Sequence, residues 1–329
     1  MKALRFPLLS AFLAVAFVQA PPVVSAQDVG ADTPINLPTP KGVRIFADLP
    51  YVDSDNPRQK LDLYLPVPVP KTPMPVIVYL HGGGWRKGSK ADGRAFAFRM
   101  VPQGYAVACV GYRLTDEAEF PAQLEDGKVA IRWLRDYAER YRLDPTRFGA
   151  CGVSAGGWLA AMLGTTANFH LLDSGEHLNQ SSGVQAVCNF FAPIDLLRLY
   201  DYADAHGTPQ AQEVTKLLGG NPHIMRAQVK TANPLTYAGA GVPPFLIVHG
   251  VEDTVVPPEQ SRLCYDALAK LQLPVHLHLI HGAGHTGPAF VAPEVNAMVD
   301  AFFAQTLKPG GSLAVGATTT ITESTARKN

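Results

Sequence analysis

The sequence has no excess of either charge: 28 lysines and arginines balance 28 aspartates and glutamates over 329 residues. No run reaches five or six like charges, so the electrostatic footprint of a nucleic-acid binder or of an anionic-membrane ligand is missing. Cysteine is scarce too. Cys109, Cys151, Cys188 and Cys264 are widely spaced, with no Cys-x-x-Cys and no Cys/His cluster, which points away from a metal site and from a disulfide framework. The first three lie in apolar strand-like runs, where cysteine serves as a small core residue. No internal repeat is found. Beyond the N-terminus no apolar run is long enough to span a bilayer, so no membrane insertion is expected.

What is present begins with a targeting pattern. Lys2 and Arg5 precede the apolar stretch Leu8 to Val18, and Val24-Ser25-Ala26 offers small residues where a signal peptidase reads. Residues 1–26 are therefore expected to be a signal peptide cut after about Ala26, with a secreted or periplasmic destination. No cysteine follows the apolar stretch, so a lipid anchor is not expected. Residues 27–42, rich in Pro, Gly, Asp and Thr, read as a linker.

From there apolar strand-like runs alternate with helical patterns. Gln59 to Leu65 alternates polar and apolar residues, as a half-buried strand does. Met74 to Leu80 is continuously apolar and fits a strand covered on both faces. Tyr105 to Val110, Val184 to Phe191, Pro244 to His249 and Val275 to Ile280 repeat that character. Between them, Ala95 to Val101, a long segment opened by Pro121 and a last one over Pro293 to Thr306 carry helical spacing. The arginines from Arg132 to Arg147, interleaved with acids, read as a solvated helix face. This alternation predicts an α/β fold: a mostly parallel central sheet with helices on both faces, over residues 43–306. Residues 195–241 are too long for a simple crossover and form a small cap-like insertion, with a helix over Gln210 to Leu218. Residues 307–329 are rich in Gly, Ala, Ser and Thr and are expected to be a disordered tail.

Phe148 to Trp158 contains Gly152-Val153-Ser154-Ala155-Gly156, a serine between glycines at a strand-to-helix corner. Such a turn exposes a hydroxyl beside a helix N-terminus, whose free N–H groups favour developing negative charge. A serine hydroxyl needs a base that a third group orients. The strand ending at His249 runs into Gly250-Val251-Glu252-Asp253, and the next one into His281-Gly282-Ala283-Gly284-His285. Both loops supply the partners in the order acid, then histidine. Asp253 is the preferred acid with Glu252 as rival; His285 is the preferred base, with His276, His278 and His281 competing. His81-Gly82-Gly83-Gly84 follows the central strand, and its bare backbone suits an oxyanion hole formed by Gly83, Gly84 and Ala155. His81 reads as a structural hydrogen-bonding residue. Trp85 either lines an acyl pocket or packs the loop.

Together with Tyr112-Arg113-Leu114, Phe120-Pro121-Ala122-Gln123, Asp126 and Asp144-Pro145, these motifs run in order through residues 45 to 306. The chain resembles the carboxylesterases of the α/β-hydrolase fold, in particular the bifunctional acetyl/feruloyl esterase (BD-FAE) group, which neighbours the hormone-sensitive-lipase esterases. Val153 stands where the latter usually carry Asp, and this favours the former. The resemblance implies a cofactor-free serine esterase with Ser154, His285 and Asp253 as its triad. Its expected substrates are short-chain or aryl esters, with acetyl or feruloyl groups on polysaccharide among them. A kynurenine-formamidase-like amidase and a prolyl-oligopeptidase-like peptidase share the triad order. A peptidase of that type needs a large N-terminal domain, and only about twenty residues precede the first strand. A non-catalytic binding protein on the same scaffold would typically lack a triad residue, and all three are present.

Overall fold

The computed structural model describes residues 38–311 and 319–326. The expected signal peptide and most of the expected linker lie outside them. A nine-stranded sheet organises the chain, in the order β1-β2-β4-β3-β5-β6-β7-β8-β9. The strands are β1 (Val43–Pro50), β2 (Lys60–Pro66), β3 (Met74–Leu80), β4 (Ala106–Val110), β5 (Leu143–Val153), β6 (Ala186–Phe190), β7 (Phe245–Gly250), β8 (Val275–His281) and β9 (Thr320–Thr325). β1 pairs antiparallel with β2, and β2 with β4; every other pairing is parallel. The mostly parallel sheet expected from the alternating pattern is what forms.

β3 shows why a continuous apolar run works here. All of it is buried, and successive side chains alternate between two core layers. Val76, Val78 and Leu80 enter the layer under helices α2 (Ala122–Asp136), α4 (Ala155–Thr165) and α8 (Glu259–Lys270). Ile77 and Tyr79 enter the layer under α1 (Arg94–Met100) and α9 (Pro293–Leu307). A single-turn helix, α3 (Ala138–Tyr141), links α2 to β5. All four cysteines are buried and free. Among the described residues no helix is long and apolar enough to cross a membrane.

Two expectations are corrected. The tail is not uniformly without structure, because β9 extends the sheet alongside β8. The strand is held by polar side chains, which leave no apolar period to read. Thr322 Oγ1 meets His276 Nε2 at 2.7 Å and His278 Nδ1 at 2.8 Å, and His278 Nε2 meets Ser324 Oγ at 2.9 Å. Burial lowers the pKa of both histidines. The arginine stripe is not all solvated either. Lys128, Arg132 and Arg135 point inward from α2 and are 0%, 1% and 8% exposed. They pin the loop over residues 173–183: Lys128 pairs with Asp173 at 2.8 Å, Arg132 donates to the carbonyls of Ser174 and Glu176, and Arg135 to those of Ser181 and Gly183. Guanidinium groups are tolerated there because carbonyl oxygens replace their water.

The insertion over 195–241 holds three α-helices, α5 (Leu196–His206), α6 (Gln210–Leu218) and α7 (Arg226–Thr231). Asp195 caps α5 by accepting from Arg198 N–H at 3.1 Å. Val214, Leu217 and Leu218 of α6 join the first core layer. The insertion is tied to the rest of the fold by Phe120 N–H to Leu217 O at 2.8 Å and by Trp158 Nε1–H to Ala232 O at 2.9 Å.

Candidate active site

The carboxyl ends of β3, β5, β7 and β8 lie on one edge of the sheet, beside the point where β3 sends its next strand one way and β5 lies the other way. Ser154 sits at the β5–α4 corner with φ 52° and ψ −123°, a strained geometry for a non-glycine residue. The turn is too tight for side chains on either flank. A Cβ on Gly152 would stand 2.1 Å from Gly156 O, and one on Gly156 2.2 Å from Leu80 O. Ser154 N–H is fixed on Phe190 O at 2.9 Å, and its carbonyl accepts from Trp158 N–H at 3.0 Å.

Ser154 Oγ lies 3.0 Å from His285 Nε2, and His285 Nδ1 lies 2.7 Å from Asp253 Oδ2. The structure brings the preferred serine, base and acid into one hydrogen-bonded line. Glu252 is exposed and takes no part in it. His276, His278 and His281 are engaged with Thr322, Ser324 and Glu323 of β9.

Asp253 is 4% exposed. Its Oδ1 accepts from the N–H groups of Val255 and Val256, both at 2.9 Å, and its Oδ2 also meets His249 Nε2 at 3.1 Å. Burial pushes its pKa up. The hydrogen bonds from His249 and His285, the His285 charge and the Val256 N–H outweigh that and hold the carboxyl well below its ordinary range. Asp253 is thus an anion at neutral pH.

His249 and Phe191 escaped the sequence reading. His249 Nε2 faces two acceptors, Asp253 and Val256 O at 2.9 Å, so it carries the proton; Nδ1 then accepts from Ser261 Oγ at 2.6 Å. The signal was a histidine closing an otherwise apolar strand. The Phe191 ring lies 4.7 Å from the His285 ring and restricts its swing.

The glycine loop after β3 runs against the corner: a Cβ on Gly82 would stand 3.4 Å from Ser154 Cβ. Gly83 and Gly84 have φ of 109° and 60°, and Gly83 O accepts from the N–H groups of Arg86 and Lys87. No hydrogen bond within the described residues uses the N–H of Gly83 or Gly84. His81 is fully buried, stacks on Tyr112 at 4.2 Å, takes the Tyr112 hydroxyl on its carbonyl and holds Gly82 O at 2.8 Å from Nδ1. Burial depresses its pKa to about 4, against the opposing pull of the Gly82 carbonyl, so the ring is neutral and shapes the loop. Trp85 is 2% exposed and packs edge-on against Trp158 at 5.4 Å, the surroundings of a residue that fixes the loop.

Glu213 of α6 was also missed. Its carboxylate occupies the space that a side chain on Gly84 would take, with Oε2 2.4 Å from that Cβ position. Burial raises its pKa, opposed by Arg86, Lys87 and His285. Among the described residues no group of histidines, cysteines and acids is arranged to hold a metal ion.

Fold and site together define the class, an α/β-hydrolase carrying a serine–histidine–aspartate array. The chain belongs to the BD-FAE family, whose model matches residues 61–268, and with it to the carboxylesterases of that fold. It is 29% identical to esterase LipC of Mycobacterium tuberculosis over 280 residues, which is 80% of this chain and 67% of that protein. Among solved structures, a truncated carbohydrate esterase from gut microbiota superposes with a TM-score of 0.71 at 26% identity, covering 80% of this chain and 96% of that one. A bifunctional GH43-CE of Bacteroides eggerthii gives a TM-score of 0.72 at 32% identity, over 80% of this chain and 35% of that one. The chain spans about half the length of several other curated relatives that it matches.

Proposed function

We propose that this protein is a secreted or periplasmic serine carboxylesterase that cleaves short-chain or aryl esters, including acetyl or feruloyl groups on polysaccharide, through an acyl-enzyme on Ser154. The observation that carries the reading is the unbroken line from Ser154 Oγ through His285 to Asp253, 3.0 and 2.7 Å. In the first half-reaction His285 Nε2 takes the Ser154 proton as Oγ attacks the carbonyl carbon. The carbonyl oxygen becomes an oxyanion, held by the N–H groups of Gly83, Gly84 and Ala155, each worth about 3–4 kcal/mol in comparable sites. Collapse expels the alcohol, which leaves with the proton from His285. Water then repeats the sequence on the acyl-enzyme and releases the acid. Asp253 keeps the proton of neutral His285 on Nδ1, so that Nε2 is free to accept. The names of the two solved relatives, a carbohydrate esterase and a GH43-CE, support a sugar-bound ester.

A fluorophosphonate should add one adduct, on Ser154, and Ser154→Ala should abolish p-nitrophenyl acetate hydrolysis. Active protein without an adduct overturns the mechanism. In a panel of p-nitrophenyl esters with acetylated xylan and methyl ferulate, a preference for acyl chains of about eight carbons or more overturns the substrate class.

A further inference from the structure

Glu213 takes no part in the steps above, and its position asks for a ligand. Its side chain is 12% exposed. Its Oε1 lies 3.4 Å from Arg86 Nη2, a long contact with a guanidinium at the rim, and burial still raises the pKa of the carboxyl against the pull of Arg86, Lys87 and His285. A carboxylate largely withdrawn from water accepts more hydrogen bonds than one long contact supplies, and hydroxyl donors from a ligand would lower the cost of its burial. The group cannot simply turn outward with a loop, because Val214, Leu217 and Leu218 anchor α6 in the core.

Its place relates it to the alcohol half of an ester. The carboxylate stands over Gly84 and within electrostatic reach of His285. The leaving oxygen must lie against His285 Nε2 to receive its proton, so the alcohol extends on that side. There it meets an acceptor, Glu213, beside a donor, Arg86, whose side chain is 51% exposed. Two neighbouring hydroxyls match this pair, one donating to the carboxylate and the other accepting from the guanidinium. A cationic alcohol has no acceptor to offer the guanidinium, and an apolar one would displace water from the carboxylate without replacing its hydrogen bonds.

We propose that Glu213, with Arg86 beside it, determines specificity for esters of polyhydroxylated alcohols, sugars with a free hydroxyl next to the esterified one. The assignment rests on the serine-esterase reading of the site. It is tested with acetyl esters that differ only in the alcohol: a monoacetylated methyl xylopyranoside, cyclohexyl acetate and acetylcholine. The native protein should prefer the sugar ester. In Glu213→Ala the ratio of kcat/KM for the sugar ester to that for cyclohexyl acetate should fall about tenfold or more, mainly through KM on the sugar ester. Glu213→Gln, which keeps an acceptor oxygen and the side-chain shape, should recover part of it, and Arg86→Ala should shift the ratio in the same direction. A ratio within about twofold of native in Glu213→Ala overturns the proposal, as does a native protein without preference for the sugar ester. An equal loss on acetylcholine overturns the polyol assignment. If Ser154→Ala still releases acetate, the esterase reading itself fails, whatever the Glu213 variants do.

Discussion

His249 Nε2 lies 3.1 Å from Asp253 Oδ2, the same oxygen that meets His285 Nδ1 at 2.7 Å. Two imidazoles therefore share one carboxylate oxygen, and only one of them reaches the serine. The second keeps Asp253 ionised and aimed. His249→Phe retains the ring volume and removes the donor, and a hydrogen bond to a charged group is worth about 1.5–3 kcal/mol. kcat/KM on p-nitrophenyl acetate should fall about tenfold to a hundredfold, chiefly in kcat. Unchanged kinetics in a folded variant would leave Asp253 held by its backbone donors alone.

His81 sets an acid limit on stability. Its folded pKa, about 4, lies below its ordinary value of about 6.5. Between those values the unfolded chain binds a proton that the folded chain excludes, so stability declines as pH falls through that window. His276 and His278, whose pKa values are also lowered, act in the same sense. Asp253 acts later: its contribution is complete above the unfolded carboxylate pKa of about 4 and is lost below it, as pH falls through its depressed folded value. Urea midpoints from pH 7.5 to 4.5 should fall steadily, and less steeply in His81→Asn. An equal slope in both proteins would remove His81 from the account.

Arg135 donates to the carbonyls of Pro145, Ser181 and Gly183, and its guanidinium lies 4.3 Å from the Phe148 ring centroid. Arg135→Ala strands three acceptors, at about 1 kcal/mol or more each, so unfolding free energy should drop by about 3 kcal/mol or more. Arg135→Lys should rescue little, because an ammonium cannot span three carbonyls in the fork geometry. Thermal unfolding checks both: a Tm within about 2 °C of native for Arg135→Ala would show that the carbonyls are served by water.

The parallel strands were legible because burial on both faces forces continuous apolar runs such as Met74 to Leu80. The placement of Ser154, Asp253 and His285 was legible because each follows a strand, and the carboxyl ends of parallel strands meet on one edge. What was hidden carries no apolar pattern along the chain. An arginine served by carbonyls reads the same as one served by water, so Arg132 and Arg135 passed for solvated residues. β9 is held by threonine and serine hydroxyls on histidines, and such a strand carries no hydrophobic signature. Glu213 belongs to a helix that was foreseen, yet its meeting with Gly84 depends on how that helix docks, which spacing along the chain does not encode. α7 buries no residue and so had no apolar stripe to show.

The order of the strands also bears on which edge of the sheet is left to solvent. β9 is synthesised after every other element described, and it covers the outer edge of β8, the strand that delivers His285. The serine leaves the ribosome 131 residues ahead of its base. Until β9 pairs, the outer edge of β8 is open and able to pair with other chains. Such non-local pairing folds slowly. The short, hydroxyl-rich β9 thus replaces β8 as the edge of the sheet and keeps the strand that leads to His285 from being the exposed one.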